Sequence, residues 1–239
     1  MSLSKSHLKL ITSLSQKKYR QKHKLFIAEG VKVVEEFLSS ALELEILFST
    51  ESNFSHLDSF VEVSDLELKK ISNLKTPNKV FAIFRIPEEN EIVSTGLIVV
   101  LDAINDPGNL GTIIRLCDWF GVQQLICSKD TVDCYNSKVV QASMGSLTRV
   151  SILYTSLQEY LSDVSIPIFI ADMDGKDVYK EKLPSEAILV MGNEANGISE
   201  EIKTLVTNKI SIPRFGNSQE TESLNVATAT AILLSEFRR

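Results

Sequence analysis

The rhythm of apolar and polar positions changes near residue 96. Beyond it, strand-like runs at Leu97–Leu101, Gln124–Cys127, Val150–Tyr154, Ile166–Ala171, Ala187–Met191 and Ile210–Ile212 alternate with helical patterns at 110–120, 138–145, 157–163, 199–206 and 223–237. Several of these strands are apolar on both faces, as parallel strands covered by helices are. The pattern predicts an α/β domain with a parallel sheet over 96–239. Residues 25–90 read as a smaller α/β unit. In it, Phe26-Ile27-Ala28 is a short strand, and Val31, Val34, Phe37 and Leu38 form the apolar face of a helix beginning at Gly30. Strands at Leu44–Phe48 and Val80–Phe84 and a helix around Asp65–Ser72 complete it. Residues 85–95, polar and interrupted by Pro87, read as a linker.

Two helical patterns carry more than a core face. In 110–120, Leu110, Ile113, Ile114, Cys117 and Phe120 make one apolar stripe, while Arg115 falls well off it and Trp119 lies nearly opposite. A second apolar face suggests a partner subunit. The last helix is apolar nearly all round, through Leu224, Val226, Ala227, Ala229, Ala231, Ile232, Leu233 and Leu234, which predicts burial on every side, in a dimer interface or inside the fold.

Composition narrows the class. The 239 residues are 44% hydrophobic and 23% charged, enough for one large domain or two small ones. No apolar run approaches the ~20 residues that would cross a membrane, and the N-terminus has no signal-peptide core, so a cytoplasmic protein is expected. Cys117, Cys127 and Cys134 are odd in number and never spaced Cys-x-x-Cys, which argues against a disulfide framework or a Cys-rich zinc site. The three histidines, His7, His23 and His56, all precede the linker. The C-terminal domain therefore has no imidazole for a Ser-His pair or a metal, and hydrolase and metalloenzyme readings lose weight. The net charge of −6 is unevenly spread. Residues 1–28 hold seven cations, Lys5, Lys9, Lys17, Lys18, Arg20, Lys22 and Lys24, and no acid, so the remainder carries about −13. A basic N-terminal arm over 1–24 on an acidic body is the expectation, and a local patch of this kind can grip phosphates in spite of the distant acids.

Candidate chemistry concentrates where three strands end. The first segment is Asp102-Ala-Ile-Asn-Asp-Pro-Gly-Asn109-Leu-Gly111, continuing to Arg115. The second is Met191-Gly192-Asn-Glu194-Ala-Asn-Gly197-Ile-Ser199. The third is Ile212-Pro213-Arg-Phe-Gly216, followed by Glu222-Ser223-Leu224-Asn225-Val226-Ala227. Open α/β sheets place ligands at strand ends of this kind. Asn109 reads as a helix N-cap, Ser199 as the cap of a helix with Glu200 and Glu201 in its first turn, and Ser223 as the cap of the last helix. Gly192 and Gly197 permit tight turns. Neither a P-loop nor a Gly-x-Gly-x-x-Gly fingerprint is present, which makes a nicotinamide-dependent oxidoreductase remote.

Together the three segments resemble the motifs of the SpoU (TrmH-like) RNA ribose methyltransferases, a branch of the SPOUT superfamily. The resemblance covers roughly 97–239, and the Phe26-Ile-Ala-Glu-Gly30 stretch resembles the small ribosomal-protein-like substrate-binding domain that precedes many of these enzymes. It implies a SPOUT domain with a deep trefoil knot, a homodimer, and S-adenosylmethionine as methyl donor with no metal. It further assigns Met191, Gly192, Gly197, Ile212 and Leu224 to the cofactor pocket, and Asn109, Arg115, Glu194, Ser223 and Asn225 to the catalytic set, with Arg115 completing the site of the other subunit. Ser143-Met-Gly-Ser146 is similar to a subsidiary family stretch bordering the RNA. Gly108 stands where many relatives have His, and Asn105 where Thr or His is common. The implied reaction is methyl transfer to a ribose 2′-hydroxyl, most readily of large-subunit rRNA, with Lys17, Lys18, Arg20, Lys22 and Lys24 gripping RNA. Arg115 is expected to hold a phosphate and stabilise developing alkoxide, with the general base left open. The alternatives are a tRNA 2′-O-methyltransferase and a non-catalytic RNA-binding or ribosome-assembly protein.

Overall fold

The computed structural model describes residues 3–88, 95–216 and 223–239. Most of the expected linker, and Asn217–Glu222 of the third segment, lie outside them. The chain divides into two compact units, Met1–Glu89 with Asp133–Thr148, and Asn90–Val132 with Arg149–Arg239.

The first unit begins with α1 (Lys5–Leu14) and α2 (Lys17–His23). It continues through β1 (Leu25–Glu29), α3 (Val31–Leu38), β2 (Leu44–Ser49), β3 (Phe60–Glu62), α4 (Asp65–Ile71) and β4 (Val80–Arg85). The sheet order is β1-β4-β2-β3, with β1 and β4 antiparallel from Leu25↔Arg85 to Glu29↔Phe81. Alternation along the strands sends Ile27, Phe48, Phe81 and Ile83 to one face, against Ile11 and Leu14 of α1 and Leu68 and Ile71 of α4. The other face takes Phe26, Ala28, Leu47, Ala82 and Phe84 against Val33, Val34 and Phe37 of α3. Helix starts follow local chemistry. Ser4 and His7 close a capping box at α1, and Ser64 and Glu67 close one at α4, where the amide and hydroxyl of Ser64 hold the Glu67 carboxyl below its ordinary range.

The expected arm over 1–24 is not free. Its apolar stripe is part of the core, and Ile11 and Leu14 are buried. Arg20, expected to grip RNA, is 3% exposed. Its Nε and Nη2 donate to Asp133 Oδ2 at 2.8 and 2.5 Å, and its Nη1 donates to the carbonyls of Leu14 and Ser15. Arg20 is therefore withdrawn from the RNA-binding set: a guanidinium with four such bonds has no donor pattern left for a phosphate. Lys17, Lys18, Lys22 and Lys24 are exposed. Replacing Arg20 by alanine leaves Asp133 uncompensated in a largely buried place, and is expected to destabilise the first unit by about 3–5 kcal/mol. A depressed thermal midpoint measures this, and a midpoint equal to wild type would mean the pair contributes nothing.

The second unit holds a six-stranded sheet, all pairs parallel. In chain order its elements are β5 (Leu97–Leu101), α5 (Pro107–Trp119), β6 (Gln124–Ser128), β7 (Ser151–Thr155), α7 (Leu157–Asp163) and β8 (Ile168–Asp177). They are followed by β9 (Ala187–Met191), α8 (Glu200–Leu205), β10 (Asn208–Ser211) and α9 (Val226–Phe237). The strand order is β10-β8-β9-β5-β6-β7. The chain steps outward from β5 to β7 and returns on the other side through β8 and β9, so β5 and β9 flank the switch point where ligand clefts open in such sheets. Both are buried at every position, as the sequence pattern predicts for parallel central strands. The strand expected at Ile166–Ala171 runs further, to Asp177. Pairing of β10 jumps from Lys209↔Ile170 to Ile210↔Lys176, throwing the polar stretch between into a bulge. Gly175 permits it, since a Cβ there would lie 2.5 Å from the Ile210 carbonyl carbon.

Between β6 and β7 the chain contributes α6 (Ser137–Ser143) to the first unit. There Val140, Tyr135 and Leu147 pack with Phe26 and Phe84. The sequence reading assigns this stretch to the domain over 96–239, whereas its contacts place it in the first unit.

Candidate functional site

The loops after β5 and β9 are tied to each other by backbone-directed bonds. Asp102 N–H donates to the Met191 carbonyl at 2.9 Å, and Asp102 Oδ2 accepts from Ser199 N–H at 2.8 Å. Asp102 is 7% exposed, so it is a buried carboxylate that clamps the two loops. Ala103 has φ +55°, a left-handed conformation uncommon without glycine. It is held by its own N–H on Ser128 Oγ (2.9 Å) and by Asn193 Nδ2 on its carbonyl (2.6 Å). Asn193 Oδ1 meanwhile accepts from the amides of Ala195 and Asn196, and its backbone exchanges both hydrogen bonds with Gly197 (φ +67°). The Gly192–Gly197 stretch is thus a closed loop with one orientation.

Three of the five expected catalytic residues meet on this frame. Asn109 Nδ2 donates to Glu194 Oε1 at 2.8 Å, and Asn225 Nδ2 donates to Asn109 Oδ1 at 2.9 Å. Asn225 Oδ1 accepts from the amides of Ala227 and Thr228 at the start of α9. The direction of this relay is fixed from both ends. An ionised carboxylate only accepts, and the first amides of a helix only donate, so both intervening side-chain amides must point nitrogen toward Glu194 and oxygen toward the helix. Segments more than a hundred residues apart in sequence are joined in this way.

The capping assignments shift. Asp106, not Asn109, caps α5, accepting from Asn109 N–H at 2.8 Å with Pro107 in the first turn. This places Asn109 inside the first turn with its side chain free for the relay. Asn225, not Ser223, caps α9. Ser199 occupies the cap position of α8 without a side-chain bond, and its amide is held by Asp102. The remaining expected residues are not drawn into the relay. Ser223 is exposed, and Leu224 is 50% exposed. Ile212 is half-buried, and Met191 is buried at the strand end. Arg115 is exposed and, among the described residues, makes no ion pair or hydrogen bond. It stands one turn before Trp119, which is 84% exposed, so the two share the outer face of α5. α9 is buried through Val226, Ala227, Thr230, Leu233, Leu234 and Phe237 and packs against α5. Burial pushes the Cys117 thiol far up, and this side chain of the α5 stripe is no nucleophile.

Asp102, Asp106 and Asn193 are site residues that sequence reasoning missed. Asp106 was findable, because Asp-Pro at a helix start is a cap followed by the N1 proline. Asn225→Asp separates the two jobs of Asn225. Asp caps as well as Asn, but it removes the donor that faces Asn109. The helix is expected to keep its stability while the methyl transfer that the motif resemblance implies falls by at least about tenfold, whereas Asn225→Ala should lose about 1 kcal/mol of stability as well. Equal turnover by the Asp variant would make the relay incidental.

Comparison with known proteins agrees with the motif reading. The SpoU rRNA Methylase family matches residues 96–235, and the MRM3-like substrate binding domain matches residues 5–82. The chain is 30% identical over 234 residues to the 23S rRNA guanosine 2′-O-methyltransferase RlmP of Bacillus subtilis, covering 94% of this chain and 93% of that protein. A TrmH-family protein of Porphyromonas gingivalis superposes with TM-score 0.89 at 38% identity, over 99% of this chain and 98% of that one. An AdoMet-bound rRNA methyltransferase of Sinorhizobium meliloti does so with TM-score 0.87 at 28% identity, over 100% and 97%. With the family matching well over half of the sequence and a relative aligned along nearly all of it, the chain belongs to the SpoU rRNA methylase family.

Proposed function

We infer that the chain is an S-adenosylmethionine-dependent RNA methyltransferase that modifies a ribose 2′-hydroxyl of large-subunit rRNA in the cytoplasm. The observation that carries this reading is the Glu194–Asn109–Asn225 relay at the switch point of the sheet, in a chain similar to RlmP along almost its whole length. A non-catalytic descendant has no need of a side-chain relay that joins three separate strand-end segments. The rRNA reading is preferred to tRNA because the full-length relative is named for 23S rRNA.

The strand-end residues suit an adenosine-bearing donor. Nothing lies within 4 Å of where a Cβ on Gly197 would point, so its backbone is open to a ligand, and Leu224 offers an uncovered apolar side chain immediately before the relay. Met191, Gly192, Gly197, Ile212 and Leu224 would hold S-adenosylmethionine, which when bound supplies an electrophilic methyl group. Glu194 and Asn109 fix the loops that face the acceptor, and Asn225 fixes the start of α9. In-line displacement draws much of its catalysis from such alignment. Arg115 serves as a cation on phosphate and developing alkoxide, not as a base, because a guanidinium offers donors and no acceptor. A second copy covers the Arg115–Trp119 face, so that Arg115 reaches the neighbouring site, and sedimentation should give a dimer. The return of α9 onto α5 and onto the turn Val178–Lys180 is in keeping with a trefoil knot.

The deciding experiment maps 2′-O-methyl groups across rRNA and tRNA from cells with and without this protein. One 23S position should lose its mark, and an unchanged map would overturn the proposal. RNA capture falls to the exposed lysines of the first unit. Lys18→Glu with Lys22→Glu is expected to weaken RNA binding and reduce the slope of log affinity against log salt by about two. An unchanged slope would make those lysines a solvated face only.

A further inference from the structure

We propose that Tyr179 and Phe215 form a stacking platform for an unpaired nucleobase of the RNA substrate. This rests on the methyltransferase reading above and assigns that site a determinant for the nucleotide beside the methylated ribose. Phe215 is 84% exposed and Tyr179 38%, and their ring centroids lie 6.5 Å apart with 34° between the planes. A single exposed aromatic needs no explanation, but two in mutual contact and open to water do.

Their position is specific. Tyr179 lies two residues past the end of β8 and Phe215 four past β10, and these neighbouring parallel strands end at the same edge of the sheet as β9 and β5. Phe237, at the end of α9, packs on Phe169 at the beginning of β8 (5.5 Å between centroids). The helix therefore runs back along the strand, and its first residues, with Asn225, lie toward the turn that carries Tyr179. The platform and the relay thus share one rim.

The rings are also held. Val178 is fully buried, and Tyr179 N–H donates to Asp177 Oδ1 at 3.1 Å. Arg214 Nη2 lies 3.3 Å from Met173 Sδ, tying the β10 exit to the bulge of β8. A cation follows Tyr179 (Lys180) and one precedes Phe215 (Arg214). The pair Lys180–Asp177 is 3.0 Å long with the lysine 81% exposed, and such a surface pair exchanges readily for a phosphate. Paired aromatic faces with adjacent cations match a base and its own phosphate, and bases are offered this way only in loops, bulges and single strands.

The test uses the full chain. With rRNA from cells lacking the protein as methyl acceptor, Phe215→Ala and Tyr179→Ala are each expected to raise KM for RNA about tenfold. Tyr179→Phe and Phe215→Trp should stay near wild type, and calorimetric affinity for S-adenosylmethionine should not change. A short single-stranded oligoribonucleotide carrying 2-aminopurine should be quenched by the wild type and far less by Phe215→Ala. Unchanged KM and quenching would overturn the platform. So would dissociation of the dimer in Phe215→Ala, which would give the ring to a second copy, or loss of donor affinity, which would give it to the methyl donor. Failure of the wild type to bind S-adenosylmethionine would instead sink the methyltransferase reading itself.

Discussion

Arg115→Ala should lower methyl transfer by about a hundred- to a thousandfold while S-adenosylmethionine binds as before. Arg115 is exposed and is engaged by nothing among the described residues of its own chain, although it sits only two turns from Asn109 on the same helix. A guanidinium that no described residue of its own chain engages is available to a charge that arrives with the substrate. Removing it subtracts little from the folded state, since exposed substitutions of this kind stay within about 0.5 kcal/mol. The loss should therefore fall on turnover and not on the thermal midpoint. Arg115→Lys keeps the charge but loses the planar fork, so it should recover only part of the rate. Single-turnover assays beside donor calorimetry separate the two effects. Turnover by the alanine variant equal to wild type would take Arg115 out of the chemistry.

Gly192→Ala attacks the frame and not the chemistry. A Cβ at this position would lie 2.4 Å from the Gly197 carbonyl carbon and from the Ile198 nitrogen, both backbone atoms of the closed loop after β9. Backbone cannot step aside as a flexible side chain can. The loop must open, and the paired bonds between Asn193 and Gly197 break with it. Glu194 then loses its register with Asn109. Overpacking of this kind typically costs about 1–3 kcal/mol. Because the strain sits in the proposed donor cradle, it should appear as a ten- to hundredfold or larger fall in S-adenosylmethionine affinity together with a fall in turnover. The same substitution at Gly197 meets no atom but demands φ +67°, so it should be milder in space and strained in backbone. Donor affinity that survives Gly192→Ala would place the cradle elsewhere.

Much of this site was legible in the sequence. Glycine, asparagine and one charge at the ends of apolar runs marked the strand-end loops, and the doubly apolar β5 and β9 marked the parallel sheet. Asn109, Glu194 and Asn225, each singled out from its motif, are joined by hydrogen bonds, a pairing that the motifs do not specify. What escaped was pairing at long range. Arg20 reads as one more cation in a basic stretch, and only its partner 113 residues away turns it into a structural residue. The capping roles of Asn109 and Ser223 went to their neighbours Asp106 and Asn225 because several good capping residues crowd each helix start, and local chemistry alone does not choose among them. The extension of β8 to Asp177 was hidden by its polar bulge, which carries no apolar alternation.

The lending of Asp133–Thr148 to the first unit has a consequence for synthesis. The four strands of that unit are all made before residue 86, yet the carboxylate that neutralises Arg20 and the helix that completes one hydrophobic face arrive only with this later stretch. A nascent chain halted ahead of it holds Arg20 without its counterion. The amino-terminal half should thus be a poor stand-alone fragment, and during translation its completion must wait for the ribosome to deliver β5, α5 and β6 first.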